Sequence, residues 1–153
     1  FMKNITFIIL ILFLYNCGYS SIYKNLQLKN AQIIVIDEKG DNEMNSLIKN
    51  EIRLYSNKDS ANIYNLNINT DYKKEVLTKN TKGVITDYTL SVTAKFTTDI
   101  NGKPKILQFK EKIDIKILPD SFEQSTFEKN IKRNFASSIR EKLITAILEI
   151  NDN

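Results

Sequence analysis

The chain has 153 residues, of which 42% are hydrophobic and 26% are charged, a balance typical of a single globular domain. It contains no His and only one Cys, so the commonest general base and the commonest zinc ligand are missing and an internal disulfide is excluded. The formal charge of +4 comes from 22 basic and 18 acidic residues scattered along the chain, which argues against a nucleic-acid partner because such binders concentrate their cations on one face.

The amino-terminal stretch resembles a bacterial lipoprotein signal peptide. Lys3 is followed by a mostly apolar run over residues 5–14, which has the length of a signal-peptide h-region and is too short to span a bilayer. Cys17 follows this run, at the place where lipoprotein precursors are cleaved and acylated. We therefore predict a lipoprotein signal peptide over 1–16 and a lipid-anchored segment over 17–30. The alternatives are a buried core helix for the apolar run and a free buried thiol for Cys17.

A strand and then a helix are predicted after residue 30. The run AQIIVID, residues 31–37, is apolar and β-branched and leads into the turn sequence EKGDN. Apolar side chains then recur at helical spacing between Met44 and Tyr55, and Asp41 or Asn42 is placed to cap the first turn of this helix.

Three strands follow, each with alternating apolar and polar side chains. The alternation covers residues 64–72, 84–96 and 107–117, and the Asn101-Gly102 pair favours a hairpin between the last two because it tolerates positive φ. Adjacent strands joined by short loops must be antiparallel, so one face of this sheet is buried and the other is polar. Glu111 breaks the apolar face of the last strand.

A long amphipathic helix is predicted to cover the apolar face. A capping box can form by Asp120 with Glu123 or by Ser121 with Gln124. Large apolar side chains then recur every four residues, at Phe127, Ile131, Phe135, Ile139, Leu143 and Ile147. The order β-α-β-β-β-α predicts an α+β fold, a two-layer α/β sandwich in which two helices cover a four-stranded, mostly antiparallel sheet. We expect one such domain over residues 31–150.

The sequence offers little to catalysis. Its serines lack a base at a meaningful spacing, and the acidic turn at residues 37–41 lacks the alternating ligands of a calcium loop. We therefore predict no enzyme, no metal site and no cofactor. Four lysines near the connection between the second and third strands either serve solubility or hold the phosphates of an anionic amphiphile: Lys73, Lys74, Lys79 and Lys82.

The opening CGYSSIY of the mature chain, together with the element order, resembles the lipopolysaccharide-assembly lipoprotein LptE family in its alphaproteobacterial form. The resemblance covers the whole mature chain and implies a non-catalytic protein that plugs and supports the LptD β-barrel and assists lipopolysaccharide assembly at the cell surface. It implies two partners, an LptD-type barrel and lipopolysaccharide. The four lysines are our candidate lipopolysaccharide-binding residues, chosen from the distribution of cations because no family motif surrounds them.

The same resemblance implies an outer-membrane, lipid-anchored protein that faces the periplasm. Gly18, rather than Asp, follows Cys17, which by similarity to sorted bacterial lipoproteins favours the outer membrane. An auxiliary lipoprotein of an ABC-type periplasmic lipid transporter is the alternative function. For a barrel plug, the polar strand faces suit a wet lumen, through side chains such as Asn65, Asn67, Thr89, Ser91 and Thr93.

Overall fold

The computed structural model describes residues 31–100 and 102–151 and confirms the predicted α+β fold and element order. The elements are β1 (Gln32–Gly40), α1 (Asn42–Tyr55), β2 (Ile63–Lys79), β3 (Ile85–Ile100), β4 (Lys103–Lys116) and α2 (Ser121–Asn151). The strands form one sheet in the order β1-β2-β3-β4, in which β1 is parallel to β2 and the other neighbours are antiparallel. The predicted signal peptide and the anchored segment, with Cys17, lie outside the described residues.

Both helices pack on the same face of the sheet and enclose a core. Alternate residues of β2 and β3 point into it, whereas the residues between them face away. The large side chains that are fully buried are Phe96, Met44, Ile48, Leu66, Ile68, Leu90, Ile139, Leu143, Ile144, Ile147 and Val92. From Ile131 onward, the apolar stripe predicted for the last helix is core, as expected.

The prediction was wrong about where β2 ends and how far the core extends. β2 continues to Lys79 because β3 pairs with it along its whole second half. In α2 the buried stripe begins only at Ile131, and Phe127 is 41% exposed. Ile113, expected to face inward, is 41% exposed because β4 is an edge strand with one neighbour. Ile117, expected to do the same, is 37% exposed and lies just after the end of β4.

A tight polar connection fixes the passage from β1 to α1. Gly40 has a φ of +88°, and the carbonyl oxygen of Thr70 on β2 accepts a hydrogen bond from the Asp41 amide at 3.0 Å. The Asp41 carboxylate accepts from the Met44 amide at 2.8 Å, which confirms it as the N-cap of α1. The Thr70 hydroxyl donates to the buried Asn45 side chain at 2.8 Å. These bonds lock the start of α1 onto the middle of β2.

Glu111, which breaks the apolar pattern of β4, is the point where α2 is tied to the sheet edge. Its carboxylate accepts a hydrogen bond from the Ser138 hydroxyl at 2.7 Å and pairs with the Lys142 ammonium at 2.5 Å. The polar residue therefore lies on the helix-covered face, and its partners lie on the helix above it.

Candidate interaction surfaces

The face of the sheet opposite the helices carries none of the described elements and is mostly polar. In the antiparallel register, Asn67 lies opposite Thr97, and Asp71 lies opposite Thr93. The five polar side chains singled out from the sequence alternate with the buried ones and lie on this face: Asn65, Asn67, Thr89, Ser91 and Thr93. We call this surface the open face.

Three lysines cluster on the open face where β3 and β4 pair. Lys110 lies opposite Thr93, Lys112 lies opposite Ser91, and Lys95 is one pair further along β3. All three are exposed, and none forms an ion pair with another described residue. Neighbouring strands are about 4.8 Å apart, so this cluster concentrates positive charge beside two hydroxyl groups. Sequence reasoning missed it because the cluster depends on strand register; the alternation of Lys110 and Lys112 was its only signal.

The four lysines predicted from the sequence do not form one group. Lys73 lies on the open face, where its ammonium is 3.0 Å from an Asp71 carboxylate oxygen, and this hydrogen bond raises the pKa of Lys73. Lys74 points to the helix-covered side. Lys79 ends β2 and Lys82 lies in the turn that follows, and neither forms an ion pair with a described residue. The structure thus brings Lys79 and Lys82 together and separates Lys73 from Lys74.

Lys74 is part of the contact between β2 and the first turns of α2. Its ammonium is 2.5 Å from a Glu128 carboxylate oxygen and 4.3 Å from the centre of the Tyr88 ring. Burial raises the pKa of Glu128, but the hydrogen bonds from Lys74 and Gln124 outweigh it and hold that pKa below its usual value. The charge of Lys74 is therefore already compensated within the fold.

A lysine of α2 itself also holds this part of the helix against the rest of the fold. Lys132 pairs with Glu43 of α1 at 2.5 Å, and its ammonium lies 4.5 Å from the centre of the Tyr72 ring. The Tyr72 hydroxyl is buried without a hydrogen-bond partner among the described residues. Burial, with a smaller contribution from Glu128 and Glu43, raises its pKa to about 12. The first third of α2 is thus held mainly by charge and aromatic contacts rather than by core packing.

The turn between β2 and β3 is held by one side chain. The Asn80 side-chain oxygen accepts hydrogen bonds from the amides of Lys82 at 2.9 Å and Val84 at 3.0 Å. The Asn80 backbone also bonds to Val84 at 2.8 Å and to Gly83 at 2.9 Å, and Gly83 has the positive φ of +78° that the turn requires. The turn therefore has a defined conformation although all of it is exposed.

Within residues 31–100 and 102–151, no three His, Cys, Asp or Glu side chains come close enough to form a metal site. No helix in that part of the chain combines the length and the apolar character needed to cross a membrane. A shallow depression of about 410 Å³ lies at the base of the β2–β3 hairpin, lined by Ile85, Thr86, Asp87, Lys116 and Ile117.

No family model matches the chain, and no curated protein matches its sequence. Solved structures do resemble it. The rare lipoprotein B of Shewanella oneidensis superposes with a TM-score of 0.59 at 15% identity, over 78% of this chain and 98% of that one. The chain shares the fold of a bacterial lipoprotein.

Two further lipoproteins have the same fold. A lipoprotein of Caulobacter crescentus has a TM-score of 0.50 at 8% identity, over 80% of this chain and 92% of that one. Lipoprotein B of Nitrosomonas europaea has a TM-score of 0.50 at 9% identity, over 76% of this chain and 84% of that one. These neighbours belong to the protein class that the amino-terminal sequence predicts.

Proposed function

We propose that this chain is an outer-membrane lipoprotein of the LptE family that plugs and supports an LptD-type β-barrel and assists lipopolysaccharide assembly at the cell surface. The observation that carries the proposal is the fold shared with rare lipoprotein B across 98% of that chain. The position of Cys17 after a signal-like run supports it, because such a cysteine anchors a protein by its acyl chains. In this role the protein faces the periplasm and catalyses no reaction.

The open face supports the barrel partner. Most of its side chains are amides, hydroxyls, carboxylates and ammonium groups, which form direct or water-mediated hydrogen bonds. The lumen of a transmembrane barrel is polar, so a plug needs a polar outer surface rather than an apolar groove. The cluster of Lys95, Lys110 and Lys112 makes this face suited to an acidic wall.

Copurification tests this proposal. Full-length protein extracted from its native membranes in mild detergent is expected to retain a β-barrel in stoichiometric amount, and its amino terminus is expected to be an acylated Cys17. Cys17→Ser is the matched control, because it removes the acylation site without changing any described residue. An inner-membrane ATPase complex in place of the barrel would assign the chain to an ABC-type lipid transporter. An intact Met2 terminus would refute the anchor.

We further propose that Lys73, Lys74, Lys79 and Lys82 contact lipopolysaccharide phosphates. An exposed ion pair contributes roughly 0.2–1 kcal/mol, so replacing the three lysines that do not bind Glu128 with Ala should weaken lipopolysaccharide binding about threefold to a hundredfold. What binding remains should depend less on salt, because fewer screened pairs contribute.

Lys74→Ala is the comparison for that triple variant. It should also lower the melting temperature, since Lys74 holds Glu128 of α2, whereas the triple variant should melt like the wild type. Lipopolysaccharide binding that is unchanged in both variants would remove the β2–β3 hairpin from lipopolysaccharide recognition.

A further inference from the structure

The β2–β3 hairpin extends beyond the rest of the protein. Every residue from Lys73 to Val84 is exposed. The neighbouring strand β4 ends at Lys116, which lies opposite Asp87, and one further hydrogen bond joins the Ile117 amide to the Thr86 carbonyl oxygen at 2.9 Å. Beyond this bond the hairpin is a two-stranded ribbon. We call residues 76–85 the hairpin tip.

The hairpin tip exposes aliphatic side chains that the fold does not use. Val76 and Leu77 are each 47% exposed and Val84 is 59% exposed, all within a segment of polar neighbours. None of the three belongs to the core or packs against it as a partly buried residue. Exposed aliphatic side chains that cluster on a projecting element indicate a contact with an apolar medium.

Two cations flank these aliphatic side chains. Lys79 and Lys82 have no ion-pair partner among the described residues. The nearby Asp87 carboxylate is occupied by the hydroxyls of Thr78 and Thr86, and these hydrogen bonds lower the pKa of Asp87. Glu75 precedes the tip and is also exposed. The hairpin tip therefore combines exposed aliphatic side chains with a net positive charge, and a polar turn closes its end.

Exposed aliphatic side chains beside lysines without ion-pair partners fit a lipid surface better than an apolar protein groove. Lysine stems lie along apolar surface while their ammonium groups reach the headgroups, so aliphatic and lysine side chains can occupy the same bilayer interface. An apolar protein groove would accommodate the valines and the leucine but would have no need of two unpaired cations. Anionic lipid headgroups would compensate the charges of Lys79 and Lys82, and this charge complementarity identifies a lipid bilayer as the partner of the hairpin tip.

We propose that the hairpin tip lies along the anionic surface of a lipid bilayer, with Val76, Leu77 and Val84 in contact with the upper acyl chains and Lys79 and Lys82 at the phosphates. The turn needs no reordering to do so, because Asn80 already holds it. This property goes beyond support of a barrel and does not depend on one.

A single tryptophan at the tip tests the proposal, since the chain contains no Trp. Val84→Trp is introduced into the full-length protein, which is then reconstituted with vesicles of brominated phosphatidylcholine with or without phosphatidylglycerol. Ile106→Trp is the matched control, because Ile106 is 58% exposed, close to the 59% of Val84, and lies far from the tip on the open face. Fluorescence reports the surroundings of each ring, so association through the amino-terminal segment does not confuse the result.

The expected result is blue-shifted emission and strong quenching of Val84→Trp on vesicles that contain phosphatidylglycerol. Weak quenching is expected without this lipid, and Ile106→Trp should keep its solvent-exposed emission in both cases. Adding Lys79→Glu and Lys82→Glu to Val84→Trp should reduce the quenching to the level of the control. Equal quenching at both positions, equal quenching on both lipid compositions, or no quenching of Val84→Trp would each overturn the proposal. None of these outcomes bears on barrel copurification, so the two proposals fail separately.

Discussion

Replacing Phe135 with alanine is expected to destabilise the protein by about 3–5 kcal/mol, the usual cost of deleting a buried phenyl ring. Phe135 is 7% exposed and lies in the part of α2 whose apolar stripe packs on the core, between Ile131 and Ile139. The loss should appear as a lower urea midpoint with an unchanged dependence of the unfolding free energy on urea, because the same surface is exposed on unfolding.

Phe122→Ala is the control for this effect. Phe122 lies in the first turn of the same helix but is 78% exposed, so its truncation removes a ring of the same size without leaving a cavity. We expect a change within about 0.5 kcal/mol, as for surface substitutions in general. Similar losses from the two variants would mean that the stripe of α2 is not what holds the helix on the sheet.

Replacing Gly40 with alanine is expected to cost more than about 3 kcal/mol in unfolding free energy, from two causes that add. An L-residue at a left-handed φ costs roughly 1–2 kcal/mol, and the φ of Gly40 is +88°. In addition, its Cβ would lie 1.8 Å from the carbonyl oxygen of Thr70, so the β2 backbone must move and its hydrogen bond from Asp41 is lost. Thermal or urea unfolding measures the sum.

Gly83→Ala separates the two causes. Gly83 has a nearly equal φ of +78°, but no heavy atom of the described part of the chain lies within 4 Å of the position that its Cβ would take. Its replacement should therefore show only the backbone cost, about 1–2 kcal/mol. If Gly40→Ala cost no more than Gly83→Ala, the contact with Thr70 would be shown to relax freely, and the locking role assigned to this connection would be wrong.

The order of elements could be predicted because periodicity is a local property of the sequence. A β-branched apolar run, alternation and helical spacing identified the six elements, and Asp41 was one of the two N-cap residues that the sequence offered. The end of β2 could not be predicted, because the run Lys73, Lys74, Glu75 has no alternation of its own. Its strand conformation comes from pairing with β3, which supplies backbone hydrogen bonds whatever the side chains are.

The candidate surfaces were less predictable because they depend on contacts between distant residues. Lys73 and Lys74 are sequence neighbours, yet a strand directs them to opposite sides, and only α2 decides that Lys74 meets Glu128. Glu111 was noticed as a break in the pattern of β4, but its meaning depends on Ser138 and Lys142, which are 27 and 31 residues further along the chain. The composition shows that lysines are numerous, but the pairing register of the strands determines which of them cluster.

The length of β2 limits how this domain can be oriented in a membrane assembly. Its 17 residues, at about 3.3 Å each, give a strand of roughly 55 Å. The hydrocarbon core of a bilayer is only about 30 Å thick, so a domain that stands with β2 along the membrane normal must reach past the hydrocarbon at one end or at both. Gln32 at the start of β1 pairs with Ile63 at the start of β2, so the chain enters the fold at the end opposite Lys79. The start of β1 therefore meets a different layer from the hairpin when the strand is upright, and the same layer only when the domain lies flat.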